Sequence, residues 1–247
     1  MGTLFVIEGV DGAGKATQTA KLVERLTADG KNPLKVTFPD YENKSSDIVK
    51  MYLNGAFGAH ADDVNAKAAS TFFALDRYVS YKTRWEADYL SDRVIVADRY
   101  VTSNMIHQAS KLDTIEEKEA FIDWLTDFEY GIYKLPAPSK VVFLDMPPKY
   151  AAELTKTRAN KSTGEMVQDI HESDRAYIQK SYENALWVAK RYGWHIISCV
   201  KGGCIRTIDD ISDEVYYYFM NAYKIRVEIK NLNPYFTYLT FPPDNSR

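Results

Sequence analysis

Cysteine is scarce in this chain. Cys199 and Cys204 are the only two among 247 residues, and their spacing matches no zinc-ligand or redox motif. Reduced thiols are expected, and no disulfide framework carries the stability. Long apolar runs are also missing: none approaches the roughly 20 residues that a membrane-spanning helix needs. The first residues lack the charged and apolar regions of a secretory signal, so a cytoplasmic location is the expectation, with no membrane partner. Nor is there a surplus of positive charge. Lys and Arg number 31 against 34 Asp and Glu, a net charge of −3. Such a chain has no global field for holding nucleic acid nonspecifically, and any anionic ligand must be met by local charge. The N-K-x-D motif of guanine readers is absent as well.

What is present suits one α/β domain with a full core, at 45% hydrophobic residues. Short apolar runs alternate with longer helical patterns, the signature of a parallel sheet with crossover helices. The runs predict strands at Leu4–Glu8, Leu34–Phe38, Val94–Ala97, Lys140–Leu144 and Trp194–Ser198. Between the first two, Leu22, Val23 and Leu26 share a helix face, and Asp29-Gly30 stops that helix. Residues 151–172 are polar and interrupted by Asn160-Lys161-Ser162-Thr163-Gly164, which reads as a mobile excursion. Residues 224–247 form a C-terminal extension. There, Ile225–Lys230 alternates with period two, which suits the first strand of a hairpin or a continuation of the preceding helix.

The most informative segment is G-V-D-G-A-G-K at Gly9–Lys15, after the apolar run Leu4–Ile7 and before a helical pattern. Glycines at 9, 12 and 14 let the backbone curl with its N–H groups inward, and the following helix aims its positive end at the same point. Gly9, Val10, Asp11, Gly12, Ala13, Gly14 and Lys15, with Ala16 and Thr17 opening the helix, are the expected ATP-phosphate cradle. Lys15 reaches the β- and γ-phosphates as a point charge. The hydroxyl residue that usually follows the lysine and meets Mg²⁺ is Ala16 here.

In open α/β sheets, ligands sit beyond the carboxyl ends of the strands. Asp98-Arg99 falls there, either as a strand-capping ion pair or as a metal-shell carboxylate beside a guanidinium that grips phosphate bidentately. Phe73 and Arg77 lie four apart on an apparent helix and share a face, which suits a base-sized ring: stacking on one surface, hydrogen bonds at one edge. Core packing of Phe73 is the alternative.

Together these segments resemble the thymidylate kinase family of P-loop nucleoside-monophosphate kinases. The matching stretches are G-V-D-G-A-G-K-A-T-Q at the start, F-P-D-Y at 38–41, F-A-L-D-R-Y at 73–78, D-R-Y-V-T-S-N-M-I-H-Q at 98–108 and D-I-H-E at 169–172. They occur in family order over roughly residues 1–215. The resemblance implies a P-loop fold over residues 1–223: a five-stranded parallel sheet flanked by helices, with residues 151–172 as a mobile lid. It implies transfer of the γ-phosphate of ATP to dTMP with Mg²⁺, in a homodimer. By position, Asp11 would lie near the acceptor sugar and the metal, Phe73 would stack on thymine, and Arg77 would bond its edge. Arg99 would bind the acceptor phosphate, and Ser103, Asn104 and Gln108 would line the base pocket. His107 and His171 stand where tyrosines are frequent in the family, and Tyr41 where some members have an arginine. Glu172 would assist metal or sugar, and Asp11, Asp98 and Glu172 are the candidate metal carboxylates. With Gly12 where some members carry a loop arginine, the transition-state cation would come from the lid, at Arg158 or Lys161. The apolar residues Phe121, Trp124, Leu125 and Phe128 are either core or a dimer face. A kinase for another monophosphate or a deoxynucleoside, and a weakly catalytic regulatory module, are the competing readings.

Overall fold

The computed structural model describes residues 2–155 and 175–232. The chain begins with β1 (Thr3–Glu8), buried throughout, and passes through the glycine loop into α1 (Lys15–Ala28) and β2 (Leu34–Thr37). Helices α2 (Asp47–Leu53) and α3 (Ala66–Ser80) follow; a wide turn at Tyr81–Trp85 leads to α4 (Glu86–Leu90) and β3 (Val94–Asp98). Next come α5 (Val101–His107), α6 (Ile115–Thr126) and a second wide turn, Asp127–Ile132, before β4 (Lys140–Asp145). Helices α7 (Pro148–Thr155) and α8 (Arg175–Arg191) precede β5 (His195–Ser198), the short hairpin β6 (Val200–Lys201) and β7 (Cys204–Ile205), and α9 (Ile208–Leu232).

The five long strands form one parallel sheet in the order β2-β3-β1-β4-β5. Each begins and ends within one residue of its expected bounds. Alternation along β1 explains the layering, since successive side chains point to opposite faces. Leu4 and Val6 join Trp85, Tyr100, Met105 and Phe121 on one side. Phe5 and Ile7 join Leu22, Leu26, Val215 and Phe219 on the other. Both faces are covered, as a parallel sheet requires.

Helix α6 opens with a reciprocal capping box: Glu117 N–H donates to Thr114 Oγ1 at 3.2 Å, and Thr114 N–H to Glu117 Oε2 at 3.1 Å. Phe121 and Leu125 are core, while Trp124 and Phe128 are half-buried and stack on each other at 5.4 Å. Helix α8 anchors α5, because Asn184 Nδ2 donates to the carbonyls of Met105 (2.9 Å) and Ile106 (2.7 Å).

Ile225–Lys230 is helical, so the hairpin reading fails for its first strand. No Gly or Pro interrupts the chain between Ile208 and Asn233, and extending a helix already anchored by Ile211, Val215 and Phe219 is far cheaper than nucleating a new element. Arg158, Lys161, His171 and Glu172, with most of the anticipated lid, lie outside the described residues, as do residues 233–247.

Phe219 is 1% exposed and meets Phe5 edge-on at 5.2 Å, pinning α9 to the central strand. Phe219→Ala is expected to lower unfolding free energy by about 3–5 kcal/mol in urea titration; a loss below about 1 kcal/mol would contradict this packing role.

Candidate active site

The loop after β1 is built from backbone constraints. Gly14 takes φ 83° directly before α1, a left-handed conformation that a side chain would strain. Gly9 is excluded from carrying a Cβ for another reason. That atom would sit 2.9 Å from Ala13 Cβ and 3.1 Å from Leu144 O, so the loop would have to shift away from β4. Ala16 is half-buried and Thr17 exposed on the first turn of α1. The buried Lys15 donates from Nζ to Val10 O at 2.9 Å, folding its ammonium back over the loop. Burial lowers its pKa from 10.5 to about 7; the nearby Arg99 charge adds to this, against the opposing carboxylates Asp11, Asp98 and Glu8.

Arg99 joins this loop to α5. Its backbone is in the left-handed region (φ 68°), held by a hydrogen bond from Arg99 N to Ile7 O at 3.2 Å. Its guanidinium pairs with Asp11 in the loop, reaches Ser103 Oγ at 3.4 Å and lies 3.0 Å from His107 Nε2. Beneath it the fully buried Glu8 accepts from Tyr100 N (3.1 Å), Thr102 Oγ1 (2.7 Å) and Ser103 Oγ (2.9 Å). Burial raises the Glu8 carboxyl, opposed chiefly by the Arg99 charge.

Asp98 is different. Buried at the end of β3, its two carboxylate oxygens have no hydrogen-bond partner among the described residues. A bare buried carboxylate beside a phosphate loop fits a hydrated divalent cation. No cluster of three or more His, Cys, Asp or Glu residues among the described residues could hold a metal by itself. Mg²⁺ in such a site would lean on phosphate oxygens and its own water, with Asp98 and Asp11 as the available carboxylates.

The remaining candidate residues lie along α3 and α5. Phe73 is half-buried and packs with Tyr41 around Val49, Tyr52, Leu53 and Ala69. Tyr41 is also near enough to Arg99 to influence its charge. Arg77 is almost fully buried and engages Glu129 bidentately, with Nε to Oε2 and Nη2 to Oε1 both at 2.6 Å. Asn104 Nδ2 donates to Ser70 O at 3.3 Å and to Glu129 Oε1 at 3.5 Å. Gln108 is buried, and its Oε1 has no partner among the described residues. Arg99, Ser103, Asn104, His107 and Gln108 thus occupy one short stretch running from β3 through α5. Sequence reading missed Glu8 and Glu129. The only signal for Glu129 is a lone acid between aromatics, in Phe128-Glu129-Tyr130.

The thymidylate kinase family profile matches residues 7–198, from the end of β1 to the end of β5. The chain belongs to the thymidylate kinase family. A thymidylate kinase of Mycobacterium tuberculosis is 34% identical over 179 residues, covering 72% of this chain and 81% of the relative. The human thymidylate kinase is 31% identical over 153 residues, covering 62% and 65% respectively. The solved structure of thymidylate kinase from Candida albicans superposes with a TM-score of 0.65 at 22% identity, over 89% of this chain and 92% of that one, and establishes the shared fold.

Lys15 has a testable linkage. Above about pH 7 it is largely neutral in the free protein, whereas a phosphate anion favours its charged form. Binding of ATP above that pH therefore takes up a proton, and affinity falls as pH rises, by at most about tenfold per unit. Calorimetry near pH 8.5 in buffers of different ionisation heat is expected to show uptake of close to one proton, abolished by Lys15→Arg. No uptake in the wild type would contradict the assignment.

Proposed function

We propose that the chain transfers the γ-phosphoryl group of ATP to dTMP, giving dTDP, and that the crevice around Arg99 is where the two nucleotides meet. One observation carries this reading: a single guanidinium bonds the phosphate loop at Asp11 and α5 at Ser103, while the same α5 stretch carries Asn104 and Gln108. Both halves of a two-substrate site are therefore tied to one residue.

Phosphoryl transfer is mostly positioning and charge neutralisation. The loop N–H groups and Lys15 hold the β- and γ-phosphates of ATP. The acceptor phosphate competes with Asp11 for Arg99, and Asp11 is then released toward the acceptor sugar and the metal's water shell. Phe73 stacks on the base, while Arg77, Asn104 and Gln108 read its edge. Tyr41 and His107 flank the acceptor, leaving Arg99 as its main cation. Mg²⁺, when bound, neutralises phosphate charge. Asp98, Asp11 and Glu172 would hold it, partly through water, since Ala16 offers no hydroxyl. Arg158 supplies the cation that Gly12 does not. A homodimer burying the exposed Leu75, Tyr78 and Ile132, in the cytoplasm, completes the proposal.

A coupled assay with ATP and a panel of monophosphates tests it: dTMP is expected to give the highest kcat/KM, and faster turnover of dCMP or thymidine would overturn it. Arg158→Ala is expected to lower kcat by more than about tenfold with ATP affinity nearly unchanged; an unaltered kcat would remove Arg158 from the mechanism.

A further inference from the structure

Glu129 is a fully buried carboxylate in the wide turn after α6, and none of the roles above uses it. Its effect follows from counting donors. A guanidinium has five N–H groups, all donors. Glu129 takes the Nε and one Nη2 hydrogen of Arg77, and Tyr100 O accepts from Nη1 at 3.4 Å. What remains open on Arg77 is donor only. A carboxamide has two N–H donors and one carbonyl acceptor. Asn104 donates its Nδ2 hydrogens to Ser70 O at 3.3 Å and to Glu129 Oε1 at 3.5 Å, so its carbonyl oxygen is the part of the amide left to accept. Arg77 is a donor by its own chemistry, whereas Asn104 accepts because its amide hydrogens are engaged; one carboxylate holds both readers in place.

A pyrimidine with a 4-oxo group beside an N3–H presents the complementary acceptor and donor. A 4-amino pyrimidine presents a donor beside a bare ring nitrogen, reversed at both atoms. We propose that Glu129 is a positioning residue that holds this donor–acceptor polarity, so that 4-oxo pyrimidine monophosphates are accepted and 4-amino ones rejected. The inference rests on the base-pocket reading above. It gives the buried pair a use in specificity. Replacing a buried ion pair by apolar groups is often neutral or stabilising, whereas a polar site left unpaired by the wrong substrate discriminates strongly.

The test compares kcat/KM for dTMP, dUMP and dCMP, with KM for ATP as the structural control, in the wild type, Asn104→Ala, Glu129→Gln and Glu129→Asp. Glu129→Gln places an amide donor against Arg77 or Asn104. It is expected to raise KM for dTMP by about tenfold or more, to narrow the dTMP-to-dCMP preference by a similar factor, and to leave KM for ATP within about twofold. Glu129→Asp, which keeps the charge, is expected to retain more of the preference than Glu129→Gln. A wild type indifferent to dTMP and dCMP, or an Asn104→Ala variant with unchanged KM for dTMP, would overturn the pocket reading itself. An intact wild-type preference that survives in folded Glu129→Gln would overturn the role of Glu129 alone. Should Glu129→Gln not fold, Glu129→Asp decides: a rise in KM for dTMP but not for ATP supports the proposal, and equal rises or none refute it.

Discussion

The ion pair between Arg99 and Asp11 is the contact on which the rest of the site depends. It spans the gap between β1 and β3, whose ends the sheet register places side by side as Ile7 and Asp98. Around it the chain buries Glu8, Lys15 and Asp98, charges that cost several kcal/mol each in an apolar interior unless compensated. Compensation is uneven. Glu8 is satisfied by a backbone N–H and two hydroxyls from the start of α5. Lys15 instead loses much of its charge near neutral pH, and the Asp98 carboxylate has no described partner. In the proposed function, a buried cluster arranged this way would be answered by ligands that bring phosphate and a divalent cation.

Along α3 and α5 the organising contact is a buried pair, Arg77 with Glu129, which shares Asn104. The two pairs differ in kind. Asp11 is 39% exposed at its side chain, so its hold on Arg99 is open to competition from an incoming anion. Glu129 is at 0%, with two hydrogen bonds of 2.6 Å to Arg77, and nothing from solvent can compete with it. The exposed pair is suited to exchanging partners during turnover, and the buried one to keeping a fixed pattern of donors and acceptors. Stretches of one chain that lie far apart in sequence thus divide the labour of movable charge and fixed recognition.

Much of this was legible in the residues themselves. Continuous apolar runs mark strands buried on both faces, which is why all five were located to within a residue. The glycine loop was legible because few sequences other than a phosphate cradle place three glycines and a lysine between a strand and a helix. Arg99 was legible as a cation at the carboxyl end of β3, but not as the partner of Asp11, since 88 residues separate them and no local pattern encodes the contact. Glu129 was invisible for the same reason: its meaning comes from Arg77, 52 residues away, and from the wide turn that points it inward. Of the two readings left open for Ile225–Lys230, the helical one holds, because period-two alternation is a weak signal beside a helix already growing with no breaker in its path. Local periodicity encodes elements, whereas pairing of distant charges encodes the site.

The central claim is that one crevice holds both nucleotides with their phosphates converging on Arg99. Its most direct test is the affinity, in the presence of Mg²⁺, of a single molecule in which the 5′ ends of adenosine and thymidine are joined by a polyphosphate bridge. The account predicts binding at least about 100-fold tighter than ATP or dTMP alone, because the second half-site is engaged at high effective concentration. An affinity no better than that of the tighter single nucleotide would contradict it.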